Sequence, residues 1–254
     1  MNVQKNSNLN PSELTRKLYG ELASLVGISK PFFPNVEFST YSYYNPQSHT
    51  IFLNENLSFD GLKGDIACEL GHALRADLRG YAGSFYNCAS DVRKMKFKLP
   101  PENEKCIRFT KSIDCSEFYD FLTYLLIIAD NSEIKAGNFL MDYLHFEKNW
   151  LEHIVDKIPE LSGTNAFSKM AQAISEGKKC SELECFAEHL PYFAVLPCLI
   201  RKDIVKITRA KRLLVDSDSL KRNYSGLLRM TPEDIISYTA EGIELYLEQS
   251  VDIL

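Results

Sequence analysis

The sequence predicts a mainly α chain of the α+β kind, with a small N-terminal β-sheet followed by a helical bundle. Three observations carry that reading. Runs rich in β-branched and aromatic residues fall only in the first quarter, at residues 36–44 and 50–54. From Ser116 onward, apolar residues recur at helical spacing in almost every segment. The chain has 254 residues and is 45% hydrophobic, enough to bury a large core without disulfides.

In chain order, residues 1–11 are polar and read as a flexible tail. Pro11-Ser12-Glu13 opens a helix towards Leu25, with Leu14, Leu18, Leu22 and Leu25 at helical spacing. Pro31 and Pro34 mark a loop. Strands over 36–44 and 50–54 flank the turn Asn45-Pro46-Gln47-Ser48, which suggests a hairpin. After Asp60-Gly61 a helix runs over 62–78, with Gly80 and Gly83 at its end. Residues 87–113 are less regular and hold Pro100-Pro101. Helices are expected over 117–129, 135–146, 150–157, 166–174, 181–193, 200–214 and 231–249. The expectation is one domain over 1–254, divided into the tail, a sheet and helix part (12–115) and a helical part (116–254).

The net charge is -5 and the pI about 5.6. No global attraction for a polyanion exists, so nucleic acid is not the expected partner. Arg201, Lys202, Arg209, Lys211 and Arg212 are interleaved with Ile204, Val205, Ile207, Leu213 and Leu214, which reads as the solvated face of an amphipathic helix. Seven cysteines, an odd count, argue against a closed disulfide set, and no CxxC pair supports a zinc knuckle. The first ten residues carry no apolar signal core. The longest apolar run, 118–129, is interrupted by Tyr119, Asp120, Thr123 and Tyr124 and is too short to span a bilayer. No membrane association is expected, and the place is a reducing cytoplasm.

The chemically informative stretch is Ala67-Cys68-Glu69-Leu70-Gly71-His72-Ala73-Leu74. On a helix Cys68 and His72 stand one turn apart on one face, and Glu69 flanks that face. Ala67, Leu70, Leu74 and Leu78 form a core stripe on the other side. Gly71 costs the helix about 1 kcal/mol relative to alanine, acceptable where another backbone must come close.

This string resembles the HELGHAL form of the zincin motif, with Cys68 where the family has its first histidine. The strand over 50–54 precedes the helix as the edge strand does in that family. The likeness is strong over about 45 residues and weak elsewhere. It implies a zinc ion held by Cys68, His72 and a glutamate from a later helix, with Glu69 as general base for a zinc-bound water and a peptide or protein as substrate. Among later glutamates, Glu184 ranks first. Glu184-Cys185-Phe186-Ala187-Glu188-His189-Leu190 resembles a family pattern, and His189 would stand near the oxyanion. Glu184 lies 184 - 72 = 112 residues from His72, a long separation. Glu117, only 117 - 72 = 45 residues away, is the rival; Glu117 and Asp120 form an ExxD spacing resembling that of other zincin second helices. Glu241 is a third and weaker match.

The departure at Cys68 matters chemically. A thiolate binds zinc at about 2.3 Å against about 2.0–2.1 Å for imidazole nitrogen, but its side chain is shorter. It also donates charge to zinc, which weakens the acidification of water. Two functional expectations result: a zincin-like metalloprotein with zinc-dependent peptidase chemistry, or an inactive zincin relic whose helices bind a protein partner. His145 and His153 read as packed or surface residues beside Phe146 and Trp150. Cys68 as a nucleophile is disfavoured by its place within a helix.

Overall fold

The computed structural model describes residues 10–57, 59–84, 113, 115–129, 133–163, 165–177, 190–210 and 212–248. The expected tail, the irregular stretch 87–113 and the helix 181–193 lie largely outside the described residues, and Glu184 and His189 wholly so. Among the described residues the chain is mainly α, of the α+β kind, 65% helical with sheets of two and three strands. It groups into two compact units. The first is Met1–Asn87 with Tyr119–Tyr124 and Asn223–Arg229; the second is Cys88–Phe118, Leu125–Arg222 and Met230–Leu254.

The first unit opens with α1 (Pro11–Leu25). Asn10 caps it through a reciprocal box: Glu13 N–H donates to Asn10 Oδ1 at 2.9 Å, and Asn10 N–H donates to Glu13 Oε2 at 3.1 Å. Three short strands come next, β1 (Asn35–Ser39), β2 (Tyr43–Asn45) and β3 (Thr50–Asn54), in the order β1-β3-β2. The expected hairpin is the antiparallel pair β2–β3, which puts Tyr43 opposite Phe52 and Asn45 opposite Thr50. The single strand expected over 36–44 is two strands instead. The chain turns at 40–42 and β1 crosses to pair parallel with β3. Ser42 anchors the break: its hydroxyl donates to Asp65 and accepts from the Asn54 N–H at 2.9 Å. Helix α2 (Phe59–Leu78) then carries the CELGH string.

The far end of α2 is tied down by Asp77. Its Oδ2 accepts from the Tyr19 hydroxyl on α1 at 2.8 Å and from the Phe32 N–H at 3.0 Å. His49 lies beside this knot, 1% exposed, with Nδ1 2.7 Å from the Tyr44 hydroxyl and Nε2 on the Phe32 carbonyl. Burial lowers its pKa more than the Phe32 carbonyl and Asp77 raise it, so the ring is held neutral.

Helix α3 (Ser116–Ala129) contributes residues 119–124 to the first unit and the remainder to the second. The second unit also holds α4 (Glu133–Lys157), α5 (Ala166–Ser175), a 3-10 turn at Leu190–Ala194, α6 (Val195–Arg201), β4 (Val205–Ile207), β5 (Leu213–Val215) and α8 (Pro232–Glu248). Between β5 and α8 runs α7 (Ser217–Leu228), whose residues from Asn223 onward belong to the first unit. The helices expected over 135–146 and 150–157 are one helix, because nothing in Glu147-Lys148-Asn149 breaks it.

The amphipathic helix expected over 200–214 is absent. Helix α6 stops at Arg201, Asp203 takes a positive φ of 55°, and the chain forms an antiparallel pair with Val205 opposite Val215 and Ile207 opposite Leu213. Val205, Leu213 and Val215 are buried while Lys206 and Leu214 face out. Burial alternates along β5, whereas in β4 only Val205 is buried and Ile207 is exposed; the spacing of Ile204, Val205 and Ile207 also allowed a helical reading. Strands are thus not confined to the first quarter. No helix among the described residues is long and apolar enough to cross a membrane.

Candidate metal centre

Helix α2 is buried along Ile66, Ala67, Leu70, Ala73 and Leu74, the stripe that anchors it in the first unit. Gly71 sits at the crossing with α3. A Cβ there would lie 2.5 Å from both Asp120 Cα and Tyr119 O, so only glycine lets the two backbones meet. That contact sets the next residue, His72, beside Asp120. One turn further, Arg75 is 1% exposed and its guanidinium lies 4.7 Å from the centre of the Tyr119 ring. Thr123 extends the same seam, donating to Tyr119 O at 2.8 Å and sharing a 2.6 Å hydrogen bond with the Tyr224 hydroxyl.

At the crossing, His72 Nε2 lies 3.5 Å from Asp120 Oδ2, with side-chain exposures of 15% and 8%. Glu117 stands one turn before Asp120 on α3. One ligand atom from each of His72, Glu117 and Asp120 lies within 4.8 Å of the others, so this group could hold a metal ion. The 3.5 Å separation bears on the fit. It exceeds the roughly 2.7–2.9 Å of a charge-assisted N–H···O bond. It matches instead the edge, about 3.4 Å, of a tetrahedron whose metal–ligand bonds are about 2.0–2.2 Å. An imidazole and two carboxylates are ligands that zinc, iron and manganese accept. Glu117 is also oriented from behind, because its Oε2 accepts from the Tyr192 hydroxyl at 2.5 Å.

The sequence-derived residues fare differently. His72 belongs to this group, and so does the rival Glu117, together with Asp120 of the same ExxD spacing. Cys68 is half-buried, forms no disulfide and is not a member of the group. Its neighbourhood includes the Tyr124 hydroxyl, whose pKa is raised first by burial and then by Cys68 and Asp65. Glu69 is half-buried on the same helix. Glu241 sits on α8 and pairs with Arg201 at 2.8 Å. Two residues escaped sequence reasoning. Arg75 comes after the motif at helical spacing and was not singled out. Tyr192 gave no signal, being separated from Glu117 by 75 residues.

No family model and no solved structure matches the chain. An alignment of 160 positions that covers 61% of the chain is 24% identical to a protein of Plasmodium knowlesi (strain H) described as a mitochondrial translation factor GUF1 homolog. The chain spans 17% of that relative's length. Fold and site together define a mainly α chain carrying a histidine–carboxylate group able to hold a metal ion.

Proposed function

We propose that the chain is a zincin-like metalloprotein that binds a divalent ion, zinc in the first instance, through His72, Glu117 and Asp120. The observation that carries this reading is the convergence of those three ligand atoms within 4.8 Å at a crossing enforced by Gly71. In this reading Glu117 takes the place of Glu184, and the departure at Cys68 is offset by a second carboxylate, Asp120. A bound ion supplies Lewis acidity to a carbonyl oxygen and a nearby water. The chain's own residues do the rest. His72 offers an imidazole nitrogen. Asp120, almost wholly buried, offers a carboxylate oxygen 3.5 Å from Nε2 of that ring. Glu69, three residues before His72, flanks the same helix face, where a carboxylate accepts a proton from an attacking water.

The test is metal analysis of protein purified without chelator, followed by zinc titration of the wild type and of His72→Ala. One equivalent is expected, with affinity falling at least about 100-fold in the variant, more than loss of an outer partner would cost. Less than a tenth of an equivalent and no uptake on titration would reject the proposal. Peptidase chemistry is tested separately: Glu69→Gln should abolish hydrolysis of a peptide library while leaving metal content unchanged. The absence of Cys68 from the group favours a second reading, a site that binds metal without turnover in a protein-binding module. Full metal content with no hydrolysis in the wild type would select it.

A further inference from the structure

We infer that Tyr192 is a positioning residue of this centre, which holds Glu117 so that a single carboxylate oxygen is offered to the ion. The inference rests on the metal-centre reading and adds a residue that no ligand motif includes.

Three observations support it. The Tyr192 hydroxyl donates to Glu117 Oε2 at 2.5 Å, at the short end of the range for an O–H donor to a carboxylate. Tyr192 is held by a packed scaffold: its ring lies 5.5 Å from that of Tyr143 on α4, and its neighbours Pro191 and Phe193 are buried. Phe193 in turn packs edge-on against Tyr246 at 5.1 Å, and its carbonyl abuts Gly242 on α8. The donor is therefore fixed, whereas the side chain it holds is intrinsically mobile. Ordering a glutamate side chain on binding costs rotamer entropy. With Oε2 engaged, Oε1 is the oxygen left to coordinate, and the carboxylate need not reorganise on binding.

The bond has a second consequence. Glu117 and Asp120 are two carboxylates at close range, and like charges so placed repel. The Tyr192 hydroxyl, by donating to Glu117, offsets part of that repulsion before any ion arrives. Such outer partners orient ligands in metal sites generally, and losing one lowers affinity by about 10–100-fold.

The experiment is Co2+ and Zn2+ titration of wild type, Tyr192→Phe, Tyr143→Phe and His72→Ala, with Co2+ visible spectra. Tyr192→Phe keeps the ring packing and removes only the donor. It should weaken binding about 10–100-fold and alter the Co2+ bands. The melting midpoint of the metal-free protein should move by less than about 4 °C, the size expected for one hydrogen bond. Tyr143→Phe, which leaves the Tyr192–Glu117 bond intact, should bind within about 2-fold of wild type. In a Glu117→Ala background, which removes the acceptor, the Tyr192→Phe effect should vanish, which separates positioning from general loosening of the fold. Equal affinities and superposable Co2+ spectra for wild type and Tyr192→Phe, with His72→Ala impaired, overturn this inference alone. A wild type that takes up neither ion overturns the metal-centre reading and this inference together.

Discussion

Gly71 in the first unit and Gly242 in the second do the same mechanical work and leave different chemistry. At both, a helix gives up a side chain so that another backbone can lie against it: residues 119–120 at Gly71, the Phe193 carbonyl at Gly242. The residues downstream of the two glycines differ. After Gly71 come His72, beside Asp120, and Arg75, over Tyr119. After Gly242 come Ile243, wholly buried, and Tyr246, packed on Phe193. A close crossing by itself is packing. It becomes a candidate site where the residue one position on is an imidazole that meets a carboxylate across the seam, with a guanidinium over an aromatic ring one turn later.

The largest expected effect breaks the comparison by filling each crossing. Gly71→Ala and Gly242→Ala should each destabilise the protein by about 2–3 kcal/mol, since overpacking against rigid backbone outweighs the helix-propensity gain of about 1 kcal/mol. Both should show in chemical denaturation. Only Gly71→Ala should also lower metal affinity, by separating His72 from Asp120. Unchanged zinc titration in Gly71→Ala would mean that the crossing does not build the site.

The two units should also respond to pH in opposite senses. Glu147 in the second unit is 3% exposed, and burial raises its pKa to about 7, against a smaller lowering by Tyr143. A carboxyl with a raised pKa favours folding when protonated. Its contribution is complete below the unfolded value and lost as pH rises through about 7. Glu147→Gln should therefore stabilise the protein at pH 8 by on the order of 3 kcal/mol and change little at pH 4, as read from denaturant midpoints. No gain at pH 8 would show that the charged form finds partners on folding.

The smallest effect belongs to His49 in the first unit. Its pKa is lowered, so its contribution is full above the unfolded value of about 6.5 and is lost as the pH falls below it, where the unfolded chain takes up a proton that the folded ring refuses. As the pH falls from 7 to 5.5 the first unit should lose stability, seen as faster amide exchange in α1 and β3. His49→Gln should flatten that dependence. Equal slopes in wild type and variant would assign the acid sensitivity elsewhere.

Much of the site was legible in advance, for a definite reason. The helix carrying His72, its buried stripe and the need for glycine at 71 are properties of residues close in sequence, and helical periodicity exposes them. The i,i+3 spacing of Glu117 and Asp120 was visible for the same reason. Ranking Glu184 above Glu117 relied on likeness of a short string, and Glu184 lies outside the described residues. Tyr192 could not be found, because its pairing with Glu117 depends on how a 3-10 turn packs 75 residues away. The hairpin at 205–215 was misjudged because a short run of Ile204, Val205 and Ile207 satisfies both periods.

The sequence by itself determined the helical share of the chain, the β2–β3 hairpin and the face on which His72 stands, since each depends on side chains within a few positions of one another. Tertiary structure alone decided that β1 joins the sheet in parallel, that residues 205–215 double back on themselves, and which carboxylates meet the imidazole. Those outcomes turn on contacts between segments far apart in the chain, where the deciding quantities are backbone approach and shared burial.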